Sequence, residues 1–243
     1  MKRFALLVIG DEILNGRVTD SNSTYLAKSL HRVGATLIAI STVGDLKTSI
    51  SREINRLQRD PTLNVDTLIT SGGIGPTHDD ITMEAVGMAL AKPLVYSDDI
   101  IQVLEARFKP GTTSSATMQA AKRMALIPEG ATLFGERGIP SAKIDNVIVL
   151  PGVPTLFEQR IDELVYSITP TEAFFERIEL NCYESEIAEA LAETARQFPG
   201  CKIGSYPKKT ENSHHIELTF DATEKAIVAA ATADFKARID TGT

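Results

Sequence analysis

A short apolar run that ends in a glycine-rich, diacidic turn constrains this chain more than any other stretch. Thr67-Leu68-Ile69-Thr70 is brief and bounded enough to be a buried strand, while beyond it Ile81, Ala85 and Met88 return at helical spacing. Between them lies Ser71-Gly72-Gly73-Ile74-Gly75-Pro76-Thr77-His78-Asp79-Asp80-Ile81-Thr82, which is therefore a strand-to-helix turn. Its glycines at 72, 73 and 75 permit unusual backbone angles and close approach of a ligand, and the helix start exposes unpaired N–H groups that suit an anion. A phosphate is the natural guest. Two adjacent carboxylates would repel it unless a cation intervened, so Asp79 and Asp80 point to a phosphate ester bound with a divalent metal. The plainer alternative is a tight turn in which Asp80 caps the helix.

The flanking segments supply a scaffold. Phe4–Ile9 reads as a first buried strand ending at Gly10, with the acids Asp11 and Glu12 just beyond it. Asp20-Ser21-Asn22 supplies capping residues for a helix carrying Tyr25, Leu26, Leu30 and Val33 and ending at Gly34. A second strand over Ala35–Val43, a helix over Thr48–Gln58 with Ile50, Ile54 and Leu57 as its apolar stripe, and a third strand over Val65–Thr70 follow. Strands alternating with helices predict a parallel sheet with right-handed crossovers, whose ligands sit beyond the carboxyl ends of the strands.

Further on, helices are expected over Thr82–Leu90, Ser97–Lys109 and Ala116–Leu126, with a polar linker over Thr112–Ser115. Short strands are expected at Ala131–Phe134 and Asn146–Leu150, with Gly135–Asp145 a loop between them. Pro151-Gly152-Val153-Pro154 makes a second strand-to-helix turn, opening a helix with Leu156, Phe157, Ile161 and Leu164. The pattern changes near Ile168–Thr171. After it comes strand (Phe174–Asn181), helix (Glu184–Phe198), strand (Lys202–Ser205), strand (His214–Phe220) and helix (Ala222–Ile239), a small α+β layer. We therefore expect two domains, 1–169 and 170–243. Gly204-Ser205-Tyr206-Pro207 is expected to leave its strand in a turn, with Tyr206 in the core. His214 and His215 are neighbours on a strand, point to opposite faces and do not suit one metal.

Composition sets the remaining bounds. With 243 residues, 43% hydrophobic and 23% charged, the chain can bury a sizeable core, and a net charge of −7 gives no reason to expect nucleic acid as a partner. The N-terminal apolar run Phe4–Ile9 is too short for a signal-peptide core or a membrane span, so a cytoplasmic protein without a membrane partner is expected. Cys182 and Cys201 lack CxxC spacing and fit reduced thiols.

Taken together, Gly10-Asp11-Glu12-Ile13-Leu14 with Gly16, Asp20-Ser21-Asn22, Gly72 through Ala85, Leu150-Pro151-Gly152-Val153-Pro154 and Gly204-Ser205-Tyr206-Pro207 resemble the molybdopterin-binding-like domain family. Within it the chain is similar to the N-terminal domain of the competence/damage-inducible protein A (CinA) family and to the corresponding domain of eukaryotic FAD synthases. The resemblance implies a three-layer α/β/α fold with a mostly parallel sheet and a small C-terminal α+β subdomain. It also implies a metal-dependent pyrophosphatase cutting ADP-ribose or FAD to release AMP, with Mg2+ or Co2+ and K+ as cofactors, in a homo-oligomer. Neither the amidohydrolase domain of many CinA proteins nor the adenylyltransferase domain of FAD synthases is expected here.

By position, Gly10, Asp20, Asn22, Ser71, Gly72, Gly73, Gly75, Pro76, Thr77, Thr82, Pro151, Gly152 and Pro154 would bind the nucleotide. Asp79 and Asp80 with Asp11 or Glu12 would hold the metal, and His78 or a carboxylate would act as base. His78 stands where many CinA relatives carry lysine and FAD-synthase-like members carry histidine, which favours flavin or a related dinucleotide. The segment 135–145 lacks the Gly-Thr-Ala-Pro-Gly pattern of CinA proteins. Two other readings use the same loop: molybdopterin binding or adenylylation in molybdenum cofactor synthesis, and a non-catalytic nucleotide-binding module.

Overall fold

The computed structural model describes residues 2–107, 114–168, 174–210 and 213–240. The expected linker residues 112–113, the end of the helix expected to reach Lys109, and residues 169–171 of the expected boundary lie outside them. The chain divides into two compact units, Met1–Thr169 and Pro170–Thr243.

The first unit runs β1 (Arg3–Ile9), a helical turn α1 (Asp11–Leu14), α2 (Asn22–Arg32), β2 (Thr36–Val43), α3 (Lys47–Arg59), β3 (Thr67–Ser71) and α4 (Thr82–Leu90). It continues with β4 (Leu94–Tyr96), α5 (Asp98–Arg107), α6 (Ser115–Lys122), β5 (Leu126–Pro128), β6 (Thr132–Phe134), β7 (Ser141–Ile144), β8 (Val147–Leu150) and α7 (Pro154–Tyr166). Six strands form one sheet in the order β2-β1-β3-β8-β7-β6, parallel throughout except for β7.

The two-residue period of β1 explains the three layers. Phe4, Leu6 and Val8 face Leu26 and Leu30 of α2 and Phe157 and Ile161 of α7. Ala5, Leu7 and Ile9 face Ile50, Ile54 and Leu57 of α3 and Ala85 and Val86 of α4. Because helices cover both faces, the strand is apolar at every position from Phe4 to Ile9, as buried parallel strands tend to be.

Two expectations fail here. Residues 135–145 are not all loop, since Ser141–Ile144 is β7, paired antiparallel to both neighbours. Only Ala142 and Ile144 are apolar in it, so the alternation is too short to read. Its clearest signal is the two-residue turn Asp145-Asn146, with Asp145 at φ 51°, that closes the hairpin to β8. The helix expected over Ala116–Leu126 stops at Lys122, because Leu126 pairs with Tyr96 in a separate two-stranded sheet, β4-β5.

The second unit runs β9 (Phe174–Leu180), α8 (Glu184–Gln197), β10 (Lys202–Thr210), β11 (Ser213–Ala222) and α9 (Lys225–Asp240), with an antiparallel sheet in the order β10-β11-β9. Ile187, Ile216, Leu218, Phe220, Val228 and Phe235 form its core. Tyr206-Pro207 does not leave the strand; Pro207 pairs with Ile216 within β10. Proline is tolerated because β10 is an edge strand, and Tyr206 is 55% exposed rather than core. His215 bonds Asn181 through Nδ1 at 3.0 Å, whereas the side chain of His214 lies outside what is described.

Helices α8 and α9 are joined by Asp234, which accepts bonds from Thr194 Oγ1 and Arg238 Nε, each at 2.7 Å. The Arg238 bond first, then the Thr194 bond, hold the Asp234 carboxyl below its ordinary 3.8. A pKa lower in the folded than in the unfolded chain stabilises above the unfolded value, and that stabilisation is lost as pH falls through the folded one. Asp234→Asn should therefore lower the melting temperature at pH 7, with the gap to wild type closing below pH 3.8. Thermal melts of both proteins across the acid range check this.

Among the described residues, no helix is long and apolar enough to cross a membrane.

Candidate functional site

The sheet order places β1 between β2 and β3, so the chain winds away from β1 in both directions and leaves a crevice at its carboxyl end. Val8 is level with Ser71, and Ser71 with Leu150, so the ends of β1, β3 and β8 open onto one place. Glycine is required where they meet. Gly72 sits at φ 111°, and a Cβ there would lie 2.2 Å from the Ile9 carbonyl oxygen. A Cβ on Gly152 would in turn lie 3.1 Å from the Gly72 Cα.

Polar side chains tie the three strand ends together. Buried Asn22, 6% exposed, donates through Nδ2 to Ser71 Oγ and to the Gly152 carbonyl, both at 2.9 Å. Thr82 Oγ1 donates to the Gly72 carbonyl at 2.9 Å, and the Thr82 N–H reaches the Gly73 carbonyl at 3.0 Å. Asp20 accepts from the N–H and hydroxyl of Ser23 at the start of α2. Thr82 and Asp20 thus build the site rather than line its main cavity.

That cavity has a volume of about 420 Å3. Of the expected residues, Glu12, Gly72, Gly73, Gly75, Asp80, Pro151 and Gly152 line it. Asp20, Asn22, Ser71 and Pro154, again with Glu12 and Gly152, line a smaller neighbouring cavity of about 60 Å3. Gly10, Asp11, Pro76, Thr77, His78, Asp79 and Thr82 line neither of the two.

The acidic residues divide by hydrogen bonding. Asp80 does not cap α4, whose N-cap is Ile81 without a side-chain bond. Its carboxylate turns back to accept from the Thr77 N–H at 2.8 Å, and the Thr77 hydroxyl lies 2.5 Å from both Asp79 and Asp80. That hydroxyl first, and also the backbone, hold the Asp79 carboxyl below the ordinary range. Asp11 is turned toward the β2–α3 turn: its N–H donates to Asp45 Oδ2 at 2.9 Å, while its Oδ1 accepts from the Asp45 N–H at 3.3 Å. Burial first, then the charges of Asp11, Glu12 and Asp79, push the Asp45 carboxyl up, against the bond from the Asp11 N–H.

So Asp11, Glu12, Asp79 and Asp80 are not gathered into one ligand set. Among the described residues, no three His, Cys, Asp or Glu side chains converge to hold a metal by themselves. Glu12 and Asp80 share the cavity, and that fits the way Mg2+ is usually held, by one or two carboxylates together with substrate phosphates. The His78 side chain is 96% exposed at the loop tip, 3.8 Å from Asp79.

The opposite wall went unforeseen. It is built by α5, by the 3-10 turn Arg123–Ala125 after α6, by the β6–β7 loop and by α7, and it brings Arg107, Arg137, Met124 and Ile139 to the cavity. Neither Arg107 nor Arg137 has an ion-pair partner among the described residues. Arg160 of α7, only 4% exposed, fixes that wall. Its guanidinium donates to the Arg137 and Ile139 carbonyls at 2.5 and 2.8 Å, to Ser141 Oγ at 3.2 Å and to Glu163 at 2.8 Å. The readable sign was a charged residue within the apolar stripe Phe157, Ile161 and Leu164, which a buried arginine bonded through all three of its guanidinium nitrogens explains. Arg160→Met should cost about 2–3 kcal/mol, since it leaves buried carbonyls and Glu163 unpaired. Urea unfolding measures the loss.

The fold and cleft define a three-layer α/β protein with a glycine-rich turn at the switch point of its sheet. The chain belongs to the family described as "probable molybdopterin binding domain", whose model matches residues 5–170. A second family model, "FAD synthase, middle domain", matches residues 172–243. A Caenorhabditis elegans protein named "Probable FAD synthase" is 34% identical over 94% of this chain, which spans 48% of that relative. A Pyrococcus furiosus protein is 36% identical over 84% of each chain. The fold is shared with the crystal structure of "the protein CinA with unknown function" from Thermoplasma acidophilum, at TM-score 0.58 and 24% identity, covering 67% of this chain and 95% of that one.

Proposed function

We propose that the protein hydrolyses the pyrophosphate bond of a nucleotide such as ADP-ribose or FAD, releasing AMP. One observation carries this reading: a single cavity is lined by the glycine turn, two carboxylates and two arginines that have no ion-pair partner among the described residues. Two arginines lining one cavity with a glycine-rich turn, in a protein of net charge −7, suit a substrate of more than one negative charge. The FAD synthase names among its relatives support a nucleotide as that substrate.

In this reading the Gly72–Gly75 backbone holds one phosphate, and Arg107 and Arg137 take up charge on the other. Glu12 and Asp80, with phosphate oxygens, hold a Mg2+ or Co2+ ion, which neutralises charge across the linkage when bound. A water attacks the phosphorus beside the adenosine and gives up its proton to solvent. The bond from that phosphorus to the bridging oxygen then breaks, ribose 5-phosphate or FMN departs with that oxygen, and AMP is the other product. His78 has no part in this assignment, because its ring is directed to solvent. Chromatographic detection of AMP after incubating the protein with ADP-ribose or FAD, Mg2+ or Co2+, and K+ tests the reading. Binding of both nucleotides without cleavage of either would overturn it in favour of a non-catalytic binding module.

The family description supports a second reading, molybdopterin binding or adenylylation at the same turn. Appearance of an adenylylated pterin on adding molybdopterin and ATP is its distinguishing result.

A further inference from the structure

Beyond the phosphate cradle, the main cavity holds an apolar region that phosphate chemistry does not require. Met83 opens α4 directly after the glycine turn, Ile100 comes from α5, Met124 from the 3-10 turn after α6, and Ile139 from the β6–β7 loop. Ile100 belongs to a buried cluster with Leu104, Ala121, Ala125, Ile127 and Ala142, and Met83, Met124 and Ile139 pack against that cluster while staying half-buried on its cavity side. The four side chains come from four separate segments, and each segment is anchored in that packed cluster. None of them carries a hydrogen-bonding group able to read the edge of a base. Two of them are methionines, whose unbranched thioethers adapt to different flat surfaces and make favourable contacts with aromatic rings.

We infer that Met83, Ile100, Met124 and Ile139 form a slot for the planar ring of the substrate and accept that ring by shape and apolarity without discriminating between bases. The inference rests on the proposed nucleotide site and deepens it. The substrate class is then a pyrophosphate carrying a heteroaromatic ring, purine or flavin, with the phosphates on the glycine turn and the ring over the methionines.

Equilibrium titration calorimetry with ADP, GDP and inorganic pyrophosphate, in the presence of Mg2+, tests it without relying on turnover. ADP and GDP should bind within about threefold of each other, and pyrophosphate at least about tenfold more weakly, the scale of one well-filled apolar contact. Met124→Ala should weaken ADP and GDP alike by about tenfold and leave pyrophosphate unchanged, while Met124→Leu should retain most of the affinity. Thermal melts of the two variants show that both fold. A preference of more than about thirtyfold for one purine, the size expected of hydrogen-bonded base readout, would overturn the inference. So would equal weakening of pyrophosphate by Met124→Ala, or ADP affinity unchanged by it. If ring binding behaves as stated but no nucleotide is cut, the hydrolytic reading fails and the slot stands. If AMP is released while binding ignores the ring, the slot fails and the hydrolytic reading stands.

Discussion

Asp80→Asn is expected to reduce AMP release from ADP-ribose or FAD by two to three orders of magnitude while changing nucleotide affinity by only a few-fold. The substitution separates two jobs of one side chain. As an acceptor, Asp80 holds the Thr77 N–H at 2.8 Å and so shapes the turn between Gly75 and the start of α4. Asparagine keeps an oxygen for that bond, and the phosphate-holding backbone should persist. As a charge, Asp80 shares the cavity with Glu12, and removing it leaves one carboxylate to hold a divalent ion there. Losing an electrostatic group at a reacting centre costs on the order of 3–4 kcal/mol of transition-state stabilisation, and each 1.36 kcal/mol is about tenfold in rate. Steady-state kinetics with titrated Mg2+, paired with calorimetric binding of ADP-ribose, give both numbers. Turnover within about tenfold of wild type at saturating metal would remove Asp80 from the mechanism, because several kcal/mol are expected of a metal-holding group.

Gly72→Ala is expected to be among the most damaging single changes in the chain, at about 3–5 kcal/mol of stability, the range in which a specific structural cause is required. Two costs act together. Alanine at φ 111° is strained on its own account, by roughly 1–3 kcal/mol. Its Cβ would also lie 2.2 Å from the Ile9 carbonyl oxygen, which belongs to β1 in the middle of the sheet and cannot swing aside as a flexible side chain would. The β1–β3 pairing must open at the carboxyl ends, where the cradle is built. Urea unfolding should show the midpoint falling, and ADP binding should be lost even where the variant is still folded. Gly138→Ala is the control: Gly138 also has positive φ, but nothing lies within 4 Å of its Cβ position, so only the conformational part of the cost applies.

The three-layer architecture was readable because its causes are local and repetitive. Phe4–Ile9 and Leu68-Ile69 are uninterrupted apolar runs, and Ile50, Ile54 and Leu57 mark a single helix face. Strand β7 and the β4-β5 sheet were not readable, because Ser141–Ile144 and Leu94–Tyr96 are too short to show a period and are strands only through their partners. Pro207 was misread for a related reason: proline ends a central strand but not an edge strand, and a residue's place at the edge is a property of the assembled sheet.

At the site, the sequence by itself determined the cradle. Gly72 and Gly73 are backbone requirements written at their own positions, where positive φ and, at Gly72, the approach to the Ile9 carbonyl favour glycine, while Gly75 and Gly152 sit in close contact with Asp80 and Gly72. Only the tertiary structure decided which of the neighbouring acids meet there. Asp11, Glu12, Asp79 and Asp80 look equivalent along the chain, yet Asp11 is bonded to Asp45 and Asp79 lies outside the cavity lining, while Glu12 and Asp80 line it, Asp80 with its carboxylate held by Thr77. The far wall, with Arg107, Arg137, Met124 and Ile139, is likewise tertiary. Its residues come from segments far apart in sequence, held in place by Arg160 and a shared apolar cluster, and nothing local to any of them announces the surface they complete.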